Sequence, residues 1–166
     1  MSSRRLAAAW ALALLLAAGP AAGDLGKLEV SADYDAEFAR AADLLEDGKR
    51  DEGEAILDTI RKTAQRPAWD ARVALLLAAD DARRGDDARA AARLRDVSAA
   101  PIGLEPYRLL LRARSLERAA DLAEAIAAAR SAFAWDGPFA FRLHAGMTLA
   151  GLLEKTRQPR EALRVL

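Results

Sequence analysis

The chain reads as all-α: a solenoid of antiparallel helix pairs with a repeat of about 36 residues, preceded by a signal peptide. Three observations predict this. A short turn phrase recurs at a nearly fixed interval. Apolar residues on either side of it fall at helical spacing. Prolines stand at the joints between successive units.

The phrase runs Asp47-Gly48-Lys49-Arg50-Asp51-Glu52-Gly53, then Arg84-Gly85-Asp86-Asp87-Ala88-Arg89-Ala90. It returns as Ala119-Ala120-Asp121-Leu122-Ala123-Glu124-Ala125 and as Thr156-Arg157-Gln158-Pro159-Arg160-Glu161-Ala162. With Gly48, Gly85, Ala120 and Arg157 as one position, the steps are 37, 35 and 37 residues. A unit of this size cannot bury its apolar face alone, so neighbours stack into a continuous core. That argues for an extended array and against a compact enzyme.

The first 23 residues form a segment of their own. Arg4 and Arg5 give a charged start, and Leu6 to Ala18 is an unbroken apolar run. Gly19 and Pro20 break it, and Ala21-Ala22-Gly23 supplies small residues before Asp24. This is the layout of a secretory signal peptide, too short for an ordinary membrane span; an uncleaved anchor is the other reading. The twin arginines hint at the Tat route, while the leucine-rich run fits Sec better. Residues 24–166 then form the repeat domain, three full helix pairs and a truncated fourth. The expected location is periplasmic or secreted, with no stable membrane anchor after cleavage.

The helices follow from the turns. Unit one spans 33–47 and 50–64, with Gly48 ending the first helix in a left-handed conformation and Ile56, Leu57 and Ile60 on the apolar side of the second. Pro67 marks the next joint. Unit two spans 68–83 and 86–97, with Val73, Leu76 and Leu77 inward and Asp80-Asp81 outward. Gly85 closes its first helix, and Asp86 and Asp87 favour the start of the second through its dipole. Pro101 and Pro106 precede unit three, at 105–118 and 121–134. Pro138 opens unit four, at 139–155, followed by a stub from 159 that Pro159 begins. Pro106, Pro138 and Pro159 sit where a first-turn proline leaves no donor wasted. No segment reads as a strand. The chain stops some eight residues into the last helix, so the expectation is a longer natural product or a broken reading frame.

Small residues recur five positions after the turn: Gly53, Ala90, Ala125 and Ala162. They let the second helix approach the first. Leu57, Leu94, Ala129 and Leu166 follow four residues later and fill the space between units. This resembles the tetratricopeptide repeat (TPR), in which a small residue precedes a large apolar one by four and a proline closes the unit. The large aromatic and glycine positions of that family's first helix are not kept; unit two has Ala74 and Ala78 there. The fold is therefore TPR-like.

The chemistry is sparse. His144 is the only histidine, and there is no cysteine for a disulfide, lipid anchor or thiolate metal site. Asp80-Asp81 and Asp86-Asp87 form a carboxylate cluster that would either hold a cation loosely or be a solvated helix end. No nucleophile triad or phosphate loop is present, so no catalytic residue, cofactor or metal is expected. Trp69 and Trp135 read as plugs between units. The charges balance at 25 against 25, and 23 basic face 25 acidic residues once Arg4 and Arg5 leave with the signal. That offers no basic face for nucleic acid. The first helices are expected to line a concave groove, carrying Arg72, Arg83, Tyr107, Arg114, Arg118, His144 and Lys155. Such a groove suits an acidic peptide or a polar glycan; a merely solvated face is the other reading.

The phrases Gly48-Lys49-Arg50-Asp51-Glu52-Gly53 and Gln158-Pro159-Arg160-Glu161-Ala162-Leu163, with the signal peptide, resemble the N-terminal superhelical region of soluble lytic murein transglycosylases. The resemblance spans 24–166. It implies a curved, non-catalytic platform and a separate lysozyme-like domain that cleaves peptidoglycan with one glutamic acid. The catalytic signature, Glu-Ser followed by Gly-Leu-Met-Gln, is absent from these residues. Implied partners are peptidoglycan or an envelope protein. The alternative is a stand-alone periplasmic TPR protein mediating protein–protein interaction in envelope assembly.

Overall fold

The computed structural model describes residues 33–99 and 103–165; the expected signal peptide at 1–23 lies outside them. The described residues are all-helical, with no strand among them. Eight helices follow one another: α1 (Asp33–Glu46), α2 (Arg50–Ala64), α3 (Pro67–Arg84), α4 (Asp87–Arg93), α5 (Glu105–Arg118), α6 (Leu122–Phe133), α7 (Phe139–Lys155) and α8 (Pro159–Val165).

The four turns share one hydrogen-bond pattern. Gly48, Gly85, Ala120 and Arg157 all take positive φ, at 82°, 87°, 65° and 60°. At each, the residue itself donates its N–H three residues back, to Leu45, Ala82, Glu117 and Glu154. The following N–H reaches five residues back, to Leu44, Asp81, Leu116 and Leu153, at 2.8–2.9 Å. This is a left-handed helix cap that satisfies the last carbonyls. Ala120 and Arg157 adopt it despite their Cβ atoms, which L-residues do at a cost of about 1–2 kcal/mol. The second helices then start with side-chain caps where an aspartate is present. Asp86 accepts from the Arg89 N–H and Asp121 from the Glu124 N–H, each at 3.3 Å.

Close helix pairing follows from the small residues. Gly53, Ala90, Ala125 and Ala162 are all buried. A Cβ on Gly53 would lie 3.0 Å from Leu45 Cγ and 3.1 Å from the Ala41 carbonyl. Leu57, Leu94 and Ala129 are also buried. Helices pack chiefly on their chain neighbours, and α1, α3, α5 and α7 also touch in sequence. Trp69 joins α1 to α3, with ring centroids 5.7 Å from Tyr34 and 5.8 Å from Phe38. Trp135 and Tyr107 meet Phe141 of α7 at 5.1 and 4.8 Å.

One helix is shorter than its spacing predicts. The second helix of unit two ends at Arg93 and does not continue to 97. Arg108 of α5 hydrogen-bonds the Leu94 carbonyl. Glu105 accepts the Ala99 N–H at 2.7 Å and pairs with Arg108 at 2.5 Å. Backbone groups beyond Arg93 are thus satisfied from the next unit.

Candidate functional site

Most of the seven residues expected to line a groove find partners on another helix. Arg72 of α3 pairs with Asp35 of α1 at 2.7 Å, its guanidinium 4.8 Å from the Trp69 ring centre. Arg83 donates to the Leu45 carbonyl at 2.8 Å and to Asp80 at 2.6 Å. Tyr107 is half-buried against Trp135 and Phe141. Arg118 reaches Asp87 at 3.4 Å, and Lys155 reaches Glu117 at 2.6 Å. Arg72 and Arg83 are thereby committed to neighbouring acceptors.

Among the described residues, Arg114 and His144 form the one hydrogen-bonded pairing of two basic groups. Arg114 on α5 donates to His144 Nε2 on α7. No carboxylate among the described residues lies within ion-pair distance of Arg114. Burial and then the Arg118 charge lower the Arg114 pKa from its ordinary value. Burial and then the Arg114 charge hold His144 below the usual histidine range. A neutral imidazole accepting from a guanidinium fits both shifts. The result is a half-buried cation presented at the α5–α7 junction, with Arg118 one turn further along α5.

A second constellation overturns part of the sequence reading. Asp80 and Asp81 do not turn outward and are not a solvated helix end; both are buried, and the Asp81 side chain is 0% exposed. Arg50 of α2 reaches Asp81 at 2.5 Å and Arg93 of α4 reaches it at 2.6 Å. Glu54 binds the same two arginines at 2.8 and 3.0 Å. Asp80 takes Arg83 at 2.6 Å and Arg84 at 2.8 Å. The hydrogen bond to Asp81, and then that to Glu54, raise the Arg50 pKa above its ordinary value. Asp80 and Asp81 occupy the positions of Ser115 and Leu116 in unit three and of Leu152 and Leu153 in unit four, all buried, but the same positions in unit one are the exposed Asp43 and the half-buried Leu44, so repeat position alone does not dictate the burial. Buried carboxylates persist only when paired, and arginines from α2, α3 and α4 supply the pairs. Treating aspartate as a surface residue misses this cluster, and counting from the turn does not by itself find it, because the equivalent Asp43 of unit one is exposed. The cluster leaves no carboxylate free for a cation, and no three His, Asp or Glu side chains gather as a metal site among the described residues.

Comparison with protein-family models, with curated proteins and with solved structures finds no match to this chain. Its functional reading therefore rests on its own residues. None of the helices of the described residues is long and apolar enough to cross a membrane.

Proposed function

We propose that this chain is a TPR-like α-solenoid exported to the periplasm, where it serves as a non-catalytic scaffold that holds a carboxylate-bearing partner. In this reading it is the N-terminal superhelical part of a peptidoglycan lytic transglycosylase, and the ligand is an acidic stem peptide of the cell wall. The single observation that carries the ligand class is Arg114. It is a cation half-withdrawn from water, and among the described residues its side-chain hydrogen bond goes to His144 and to no carboxylate. A carboxylate arriving there gains a charge-assisted hydrogen bond that no carboxylate of the described residues already makes. The repeated left-handed caps and the buried small residues support the solenoid reading.

Binding of the purified chain to soluble muropeptides and to an acidic peptide of unrelated sequence tests this. Arg114→Gln should weaken muropeptide binding about tenfold or more, the loss of a charged hydrogen bond, while leaving helical content unchanged. Equal affinity in the variant removes Arg114 from the site. Binding of the unrelated peptide alone favours the stand-alone interaction protein. Release of soluble muropeptides that depends on a glutamate of this chain would refute the non-catalytic reading. For export, N-terminal sequencing of periplasmic material should begin within two residues of Asp24, and an intact Met1 would contradict it.

A further inference from the structure

The repeat puts Arg114 where other units carry no charge. Counted from the left-handed turn, it holds the position of Ala42, Ala79 and Gly151. His144 holds that of Asp35, Arg72 and Tyr107. At the two equivalent junctions the corresponding pairs are Ala42 with Arg72 and Ala79 with Tyr107. Helix packing thus asks for no cation at the Arg114 position, and withdrawing one from water is costly.

The hydrogen bond between the two side chains fixes the resting state. A guanidinium only donates, so His144 Nε2 accepts and the imidazole proton sits on Nδ1. The charges that face the ring come from α5. Besides Arg114 these are Glu117, which is spent on Lys155 at 2.6 Å, and Arg118, which reaches Asp87. On α7 itself, Arg142 reaches Asp136 at 3.8 Å. Helices α6 and α8 lie on the other side of α7, where Phe133 and Val165 border Gly146, and residues two apart on a helix face away from each other. The charged side chains there are turned to one another, with Arg130 on Glu161 at 2.5 Å. No carboxylate among the described residues lies within ion-pair distance of His144.

We propose that His144 is a second ligand-binding residue beside Arg114, and that one carboxylate and one proton are taken up there together. This rests on the reading of Arg114 as a carboxylate-binding residue. When a ligand carboxylate accepts from Arg114, Nε2 loses its donor and gains an anion beside it. A proton from solvent then adds to Nε2, and the imidazolium donates that N–H to the carboxylate. Guanidinium and imidazolium hold the ligand between them, each through a charge-assisted hydrogen bond. In the free chain, burial and then the Arg114 charge hold the His144 pKa low; a bound anion raises it. Affinity therefore increases as pH falls from the bound-state pKa towards the free one. Each unit of that rise tightens binding by about tenfold. Ligand carboxylates of ordinary pKa, about 4, stay ionised at pH 5.5. His144 is the only histidine of the chain, so it is the one side chain whose ordinary pKa falls in this window.

Calorimetric titration of the full chain with a soluble muropeptide at pH 5.5 and pH 7.5 tests the proposal. Binding about tenfold tighter at the lower pH is expected. Two buffers of different ionisation enthalpy at intermediate pH should show net proton uptake on binding. By NMR, the His144 pKa should be higher in the complex than in the free chain. His144→Gln keeps a donor and an acceptor but cannot titrate, and the position is exposed. It should still bind, with equal affinity at the two pH values. Affinity independent of pH in the unaltered chain, or a pH dependence that persists in His144→Gln, would overturn the role of His144 and leave Arg114 in place. Binding undiminished by Arg114→Gln, or no binding at either pH, would overturn both.

Discussion

Replacing Asp81 by alanine tests the buried charge network most directly. Its carboxylate accepts from Arg50 at 2.5 Å and Arg93 at 2.6 Å, with no exposed side-chain surface. Removing one member of a buried ion pair costs about 3–5 kcal/mol, because the other charge is left uncompensated. Here both guanidiniums keep some contact with water and keep Glu54 at 2.8 and 3.0 Å. The expected loss is therefore smaller, about 2–3 kcal/mol. In a domain of this size that lowers Tm by roughly 10 °C. Urea unfolding followed by circular dichroism reads it as a lower midpoint at unchanged slope. A loss below about 0.5 kcal/mol, the range of an exposed pair, would mean that the carboxylate is solvated and the network is a surface feature. A companion variant, Asp81→Leu with Arg50→Met and Arg93→Met, should recover much of the loss, because the equivalent position is leucine in units three and four.

Three further outcomes are expected. Ala90→Leu should destabilise by about 1–3 kcal/mol through overpacking between α3 and α4, while Arg89→Ala costs far less; equal effects in thermal unfolding would remove Ala90 from the helix contact. Ala120→Gly should stabilise by roughly 0.5–1 kcal/mol by relieving the left-handed conformation at φ 65°, whereas Gly85→Ala destabilises; the reverse order in urea midpoints would contradict the shared cap. The single histidine can be titrated by NMR: its pKa should lie below 6.5 and rise in Arg114→Gln, since burial and then the Arg114 charge lower it. The sign for stability follows: the contribution tied to His144 is present above its unfolded pKa and is lost as pH falls through the lowered folded value. A pKa at or above the ordinary value, unmoved by Arg114→Gln, would separate the two side chains.

Local chemistry explains why most helix boundaries could be read from the residues. The turn phrase is itself a capping structure, so its position dictates where one helix stops and the next begins. Seven of the eight helices lie within a residue or two of the spans expected from it. The exception, α4, is cut short by Glu105 and Arg108 from the following unit, and no local pattern announces such a contact. The candidate site was legible only in part. Counting positions along the first helices reached Arg114 and His144, because residues at those places face the neighbouring unit. Which of the counted residues would be consumed by ion pairs depended on side chains some thirty residues away. Asp80 and Asp81 turn inward where arginines from α2, α3 and α4 meet them, contacts that neither residue type nor repeat position announces. The likeness to transglycosylase platforms stays a proposal, resting on composition and phrase pattern that many helical arrays share.

The reach of the contacts has a consequence for how the chain acquires its structure. The widest side-chain hydrogen bond among the described residues joins Arg93 to Glu54, 39 positions apart. Substantial helix packing extends no further than the next helix or the next but one. Such a chain closes only short loops as it folds, so contact order is low and folding is expected to be fast. Each helix pair can dock on the surface of the pair before it, since the packing runs between chain neighbours. A chain emerging from a ribosome from its N-terminal end can thus assemble helix pair by helix pair, without waiting for its last residues.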